Sequence, residues 1–168
     1  TPLIGRIYKF KKWFDGDTVN FSIGQGDLLV TPLQIVRMMA VFANKGFLVR
    51  PYIVKAVAGQ DFSRYQKKIS RIPVKTSTIE YIRQYLENVV SDPSGTASVL
   101  SSLPFSVAGK TGTAQVSRGQ PHAWFTGFFP FENPKFVICV FLEHGGPGYA
   151  ACVLTRQIIE NMIREGLI

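Results

Sequence analysis

Val107-Ala108-Gly109-Lys110-Thr111-Gly112-Thr113-Ala114-Gln115 is the stretch on which the fold turns. It lies between Pro104 and a polar loop at Ser117 to Gln120, and its β-branched and small residues mark an extended strand. Side chains alternate along a strand with period two, so Thr111 and Thr113 present their hydroxyls on one side. Lys110 adds a fixed cation beside them. Gly112 has no Cβ, which leaves room for another backbone to lie close against this edge. An ammonium, two hydroxyls and an open edge together suit a peptide that ends in a carboxylate.

Downstream the strand character continues. Ala123 to Phe129 and Lys135 to Glu143 are strand-like and separated by turn-rich breaks, including Pro130 to Pro134. The run Phe136-Val137-Ile138-Cys139-Val140-Phe141-Leu142 is apolar without alternation, which predicts a strand covered on both faces. A helix over Val153 to Glu165 carries Leu154, Ile158, Ile159, Met162 and Ile163 on one stripe. Arg156, Glu160 and Arg164 follow at i,i+4 on its outer face. Gly145, Gly146 and Gly148 read as the tight turn before it.

Upstream the pattern is helical. Trp13 to Asp17 reads as a turn, Thr18 to Ile23 as a strand and Gly24-Gln25-Gly26 as a loop. A helix then has Thr31 as N-cap, Pro32 in its first position and Gly46 as its stop. Its stripe is Ile35, Met38, Met39 and Phe42. Val49 to Val57 is a short extended piece interrupted by Pro51, and Ala58 to Pro73 is a polar, irregular excursion. A second helix opens at Ser77 with Glu80 three residues on, the capping-box spacing, and buries Ile79, Ile82, Leu86, Val89 and Val90. Asp92-Pro93-Ser94-Gly95 ends it, and Thr96 to Leu103 forms a short helical turn. The expected fold is α+β: a three-stranded antiparallel meander covered by helices, with sheet edges and apolar helical surface left over.

The totals bound the class. The 168 residues are 46% hydrophobic and 18% charged, which excludes a disordered chain and allows one domain or part of one. No apolar run reaches the roughly 18 residues that span a bilayer. Arg6, Lys9, Lys11 and Lys12 are not followed by the apolar stretch of an export signal. The net charge of +8 is uneven: residues 1–75 hold 13 basic and four acidic residues, residues 76–168 six and seven. A basic first half could face nucleic acid, an anionic membrane surface or an acidic polymer, or be ordinary solvated surface, the favoured reading. The basic residues around Arg64, Lys67, Lys68 and Arg71 are interleaved with apolar and turn residues and carry no nucleic-acid module. Cys139 and Cys152 read as buried small hydrophobes, without metal-ligand spacing and with nothing to support a disulfide.

Three other chemistries fail on the residues. Gly109-Lys110-Thr111 resembles the end of a nucleotide-binding phosphate loop, but the required first glycine position is Pro104 and no helix opens there. His144-Gly145-Gly146 resembles the oxyanion loop of lipases, but no G-x-S-x-G exists. His122 and His144, the only histidines, stand far apart in sequence and read as separate surface residues. No metal and no cofactor is expected.

The ordered series Asp17-Thr18, Ser22 to Gly26, Thr31 to Gln34, Ser94 to Ala97, Ala108 to Gln115, Trp124 to Gly127, Asn133 to Lys135 and Glu143 to Gly146 resembles the class B penicillin-binding proteins, nearest to their elongation type. Lys-Thr-Gly is one of the signatures of that family. The resemblance implies a serine-type D,D-transpeptidase that cross-links peptidoglycan stem peptides and is acylated by β-lactams. It implies that Lys110 and Thr113 are catalytic, through positive potential and one oxyanion-hole N–H. Thr111, Gly112 and Thr113 would bind the substrate, laid on as an added strand. It further implies a parent anchored at the extracytoplasmic, periplasmic face of the membrane and working with cell-elongation proteins.

Two family motifs are missing from these 168 residues. No lysine has a serine three residues before it, so there is no S-x-x-K, and no asparagine has a serine two before it, so there is no S-x-N. Both stand upstream in the family. The whole chain, 1–168, is therefore expected to be the C-terminal portion of a transpeptidase domain, inactive alone and prone to self-association through its uncovered edges. A second reading is a non-catalytic module of the same build that binds or senses peptidoglycan peptides.

Overall fold

The computed structural model describes residues 13–26, 29–54, 56–61 and 70–168. Two compact units divide the chain, 1–31 and 32–168. In the first, α1 (Asp15–Ser22) replaces the expected strand over Thr18 to Ile23. Its first turn holds Asp15 and Asp17, and the Asp17 carboxylate accepts the Phe14 N–H at 2.9 Å. That cap outweighs the strand preference of Thr18 and Val19. None of its residues is buried.

The second unit holds α2 (Pro32–Ala43), β1 (Phe47–Leu48), β2 (Ala56–Val57), β3 (Gln60–Asp61), β4 (Ser70–Arg71), α3 (Thr76–Ser91), a 3-10 turn (Ser98–Ser102), β5 (Ala108–Ala114), β6 (His122–Phe129), β7 (Phe136–Leu142) and α4 (Gly148–Arg164). Helix α2 begins after Thr31 as expected, and its end is closed by Gly46, whose φ of 113° lets its N–H reach the Val41 carbonyl at 2.7 Å. The excursion after Ala58 is less irregular than its polarity suggests. Strands β2 and β3 form a tight hairpin with positive φ at Ala58 and Gly59, and β4 pairs with β1. Arg64, Lys67 and Lys68 lie outside the described residues; Arg71 stacks over the Phe47 ring at 5.9 Å.

Strands β5, β6 and β7 form the expected antiparallel meander. Its register faces Gly109 with Gly127, Lys110 with Thr126, and Thr126 with Cys139. On one face Ala123, Phe125, Phe129 and Val140 pack with Ala151, Cys152 and Ile159 of α4, with Leu100 and Leu103, and with Val90 of α3. On the other, Ala108 and Phe128 meet Met39 and Ala43 of α2, with Leu86 beside them. Helix α3 lies along β5 and feeds both clusters.

Four expectations need correction here. Helix α3 starts at Thr76 after Lys75, with no side-chain cap, and Glu80 pairs with Arg83 rather than closing a capping box at Ser77. Helix α4 starts five residues earlier than Val153, because Gly148 is its first residue and not part of the turn. Strand β7 has α4 on one face and α2 on the other, as expected, but the cover is partial: only Val140 is buried, Phe141 is 36% exposed, and β6 is its one strand neighbour among the described residues. An unbroken apolar run fixes strand type but not position in a sheet. On the outer face of α4, Arg156 pairs with Glu160 at 2.7 Å, whereas Arg164 turns to Asn161.

Both cysteines are free, Cys152 buried and Cys139 half-buried. They belong to opposite faces of the sheet, since Cys139 shares its side with Val137 and Thr126 while Cys152 packs on Phe125. Burial pushes each thiol up to about 11 from the ordinary 9.0. The unfolded chain ionises first, so this contribution to stability is intact below pH 9 and is lost as the pH climbs towards about 11. Melting temperatures are expected to fall more steeply over that interval than those of the Cys139→Ala, Cys152→Ala double variant, whose profile would be flatter.

Candidate functional site

The site is built on β5, which among the described residues has a strand neighbour on one side only. Period-two alternation puts Lys110 and Gly112 on the α2 face and Thr111 and Thr113 on the α4 face, as the register with Phe128 and Phe125 requires. Lys110 is exposed, and its ammonium curls back to donate to the Thr111 carbonyl at 3.1 Å and the Thr111 hydroxyl at 3.4 Å. The cation and the first hydroxyl thus converge although their side chains leave opposite faces.

Strand β5 is seated by glycines. A Cβ on Gly109 would lie 2.5 Å from the Phe125 ring and 2.6 Å from the Thr126 carbonyl, and one on Gly127 would lie 2.5 Å from the Ala108 carbonyl. The room at Gly112 is not open on its own face: its cross-strand partner Trp124 fills it, 3.2 Å from where a Cβ would stand. The space expected there for a second backbone is restricted to the edge of the strand opposite β6.

Two further residues join the site. The Gly148 N–H, in the first turn of α4, donates to the Thr113 hydroxyl at 3.0 Å, and a Cβ at Gly148 would lie 2.8 Å from the Gly112 carbonyl oxygen, so glycine lets the helix start close against β5. The positive end of a 17-residue helix therefore adds to Lys110 at the same edge. The other is Thr96, whose hydroxyl meets that of Thr111 at 2.8 Å. Gly148 was legible only as a turn glycine, because two glycines and a proline precede it. Thr96 lies in the Ser94 to Ala97 turn, and 15 residues separate it from its partner, so spacing along the chain gives no sign of the contact.

The histidines are not separate. His122 opens β6 and His144 follows β7, and the register brings their rings to 4.9 Å between centroids. The His144 backbone N–H donates to His122 Nδ1 at 2.9 Å, and His144 Nδ1 donates to the Gln120 carbonyl at 2.9 Å, which fixes a proton on that nitrogen. With Phe141 edge-on to His122 and Trp124 tilted against Phe141, the pair pins the β5–β6 loop to the end of the sheet.

Such an edge, cationic and rich in hydroxyl donors, can hold a carboxylate while strand hydrogen bonds hold the peptide preceding it. Residues 5–164 match the penicillin binding protein transpeptidase domain, and the chain belongs to that family. It is 30% identical over 177 residues to the peptidoglycan D,D-transpeptidase MrdA of Haemophilus influenzae, with 94% of this chain and 27% of that protein covered. Among solved structures, Pseudomonas aeruginosa PBP2 in complex with WCK 5153 superposes with a TM-score of 0.79 at 33% identity, covering 91% of this chain and 34% of that one. PBP2 of Helicobacter pylori, solved in complex with MreC, gives 0.80 at 28% identity over 99% of this chain and 30% of its own. The chain therefore spans about a quarter to a third of the length of these relatives.

Proposed function

We propose that this chain is the C-terminal, substrate-docking portion of a peptidoglycan D,D-transpeptidase, and that the nucleophilic serine and its S-x-x-K and S-x-N partners are supplied by residues outside these 168. The observation that carries the proposal is the convergence of Lys110, Thr111, Thr113 and the α4 N-terminus at the edge of β5 that faces away from β6. The stem peptide lies along β5 with its terminal carboxylate at Lys110, Thr111 and Thr113. The serine oxygen adds to the carbonyl of the penultimate D-alanine, and the Thr113 N–H faces the oxyanion that forms. Collapse breaks the amide bond, and the departing D-alanine amine takes a proton. An acceptor amine from a neighbouring stem then adds to the ester, loses its proton and releases the serine. β-Lactams enter as carboxylate-bearing mimics of the same peptide.

By the same reasoning the parent works at the extracytoplasmic face of the membrane, anchored outside the 168 residues. Among the described residues no helix is long and apolar enough to cross a membrane. A partner of the MreC kind is proposed for the parent on the strength of the Helicobacter pylori complex.

Two measurements test this. Incubation with a fluorescent penicillin and denaturing electrophoresis should give no covalent band with this chain alone; a band would place the nucleophile within it. Titration with a diacetylated Lys-D-Ala-D-Ala peptide should show binding that Lys110→Met, or the Thr111→Val, Thr113→Val pair, weakens by roughly 10-fold to 100-fold, the equivalent of losing a charge-assisted hydrogen bond. Unchanged affinity in these variants would exclude β5 as the docking strand. Tight peptide binding together with an upstream coding sequence lacking Ser-x-x-Lys would select the non-catalytic binding module instead.

A further inference from the structure

We infer that Thr96 is a positioning residue for the carboxylate site: its hydroxyl sets the direction of the Thr111 O–H. This rests on the proposed docking of a peptide carboxylate at β5.

Thr96 reaches β5 on a rigid support. The Asp92 carboxylate accepts both the Ser94 N–H and the Ser94 hydroxyl at 2.7 Å, which holds its pKa below the ordinary carboxylate range, first through the hydroxyl and then through the N–H. Gly95 N–H donates to the Asp92 carbonyl at 2.8 Å, and Ala97 N–H to the Val89 carbonyl at 3.1 Å. A Cβ on Gly95 would stand 2.3 Å from that Val89 oxygen, so glycine alone lets the turn close this tightly over the end of α3. Ala97 is fully buried in the core. Between these anchors Thr96 itself is exposed, and its side chain points at Thr111.

The direction of the hydrogen bonds follows from the partners. Lys110 is an ammonium and can only donate, so at 3.4 Å it addresses a lone pair of Thr111 Oγ1. A carboxylate can only accept, so the Thr111 proton must go to it. The second lone pair of Thr111 Oγ1 is then free to accept from Thr96 at 2.8 Å. The chain Thr96 O–H to Thr111 O–H to carboxylate has one consistent polarity, and each link strengthens the next. Without a ligand the Thr96–Thr111 bond can run in either direction. Anion binding selects one of them. A threonine that only tied the turn to β5 would hold the strand but would not favour an acid over its neutral analogue.

The experiment uses the 168-residue chain with a diacetylated Lys-D-Ala-D-Ala tripeptide and its C-terminal carboxamide, both followed by NMR titration. Thr96→Val keeps the shape and removes the hydroxyl; Thr96→Ser keeps the hydroxyl. The expected result is a drop of about fivefold to tenfold in affinity for the acid with Thr96→Val, little change for the amide, and recovery with Thr96→Ser. Equal weakening of acid and amide, or no recovery with serine, would make Thr96 a structural tie and overturn the inference. Retained acid preference in Thr96→Val would overturn it as well. If the unsubstituted chain does not distinguish acid from amide, the carboxylate site itself is wrong and the inference goes with it. Core signals from Phe125 and Val140 report whether each variant is folded; should Thr96→Val fail to fold, acid preference in Thr96→Ala decides in its place.

Discussion

Arg83→Met is expected to destabilise the second unit by about 3 kcal/mol, a loss set by orphaned acceptors rather than by lost charge. The residue is 2% exposed, on the inner face of α3. Its guanidinium donates to the Phe42 carbonyl at 2.7 Å, the Ala43 carbonyl at 3.2 Å and the Phe131 carbonyl at 3.0 Å. Two of these are last-turn carbonyls of α2, which have no intrahelical partner; that of Phe42 has one further, long bond from the Lys45 N–H at 3.4 Å. The third belongs to the turn between β6 and β7. The guanidinium carbon lies over both the Phe128 and Phe131 rings, 4.9 and 5.0 Å from their centroids, and the two rings stack on each other. Glu80 stands 3.3 Å from Nε, yet it is too poorly aligned for a hydrogen bond and is itself half exposed, so it adds little.

Methionine restores the apolar contacts with the two rings but none of the three donors. A buried acceptor left without a partner costs about 1–3 kcal/mol; those that reach water cost less, which places the sum near 3 rather than 9. Arg83→Lys should fall between, because an ammonium is one compact point of charge and cannot span three diverging carbonyls. Urea unfolding reads the effect as a lower midpoint at unchanged slope. A shift below about 0.5 kcal/mol for Arg83→Met, the size expected of an ordinary surface substitution, would mean that water replaces the guanidinium freely.

Arg83 also marks where sequence reading stops. The stripe Ile79, Ile82, Leu86, Val89, Val90 was legible from spacing alone, and Ile79 and Val90 are indeed core residues. An arginine on the same helix offers no periodic signal that it caps another helix 40 residues away in sequence. The meander was legible because three runs of strand-forming residues were separated by unmistakable breaks. Their order in the sheet followed, but the exposure of β7 did not, since burial depends on what lies beside a strand. Lys110, Thr111 and Thr113 could be read as one chemical group because four residues of one strand hold them. Thr96, Gly148 and the His122–His144 pair join across loops, and only the register of β5, β6 and β7 brings the latter two together. The helix α1 was misread because a single carboxylate cap decided between two propensities of similar size.

Gly148→Ala is expected to damage both the fold and the candidate site, although alanine is the better helix former. The gain in helix propensity is at most about 1 kcal/mol and is smaller in a first turn. Against it stands a Cβ 2.8 Å from the Gly112 carbonyl oxygen, 3.3 Å from its carbon and 3.2 Å from the Thr111 Cβ. These are backbone and strand atoms, held by the ladder to β6, and they cannot swing aside as the tip of a long side chain would. Overpacking of this kind costs about 1–3 kcal/mol, so destabilisation wins. Relief requires the start of α4 to lift from β5, and that breaks the Gly148 N–H bond to the Thr113 hydroxyl and withdraws the positive helix end from the edge. Affinity for a carboxylate-terminated peptide should therefore fall with stability. Gly146→Ala supplies the contrast: nothing lies within 4 Å of its Cβ position, and the only penalty is its φ of 82°, about 1–2 kcal/mol. The two variants should show comparable melting temperatures but separate in peptide titration, with binding lost in Gly148→Ala and retained in Gly146→Ala. Equal binding by both would show that the α4 N-terminus contributes nothing at Thr113.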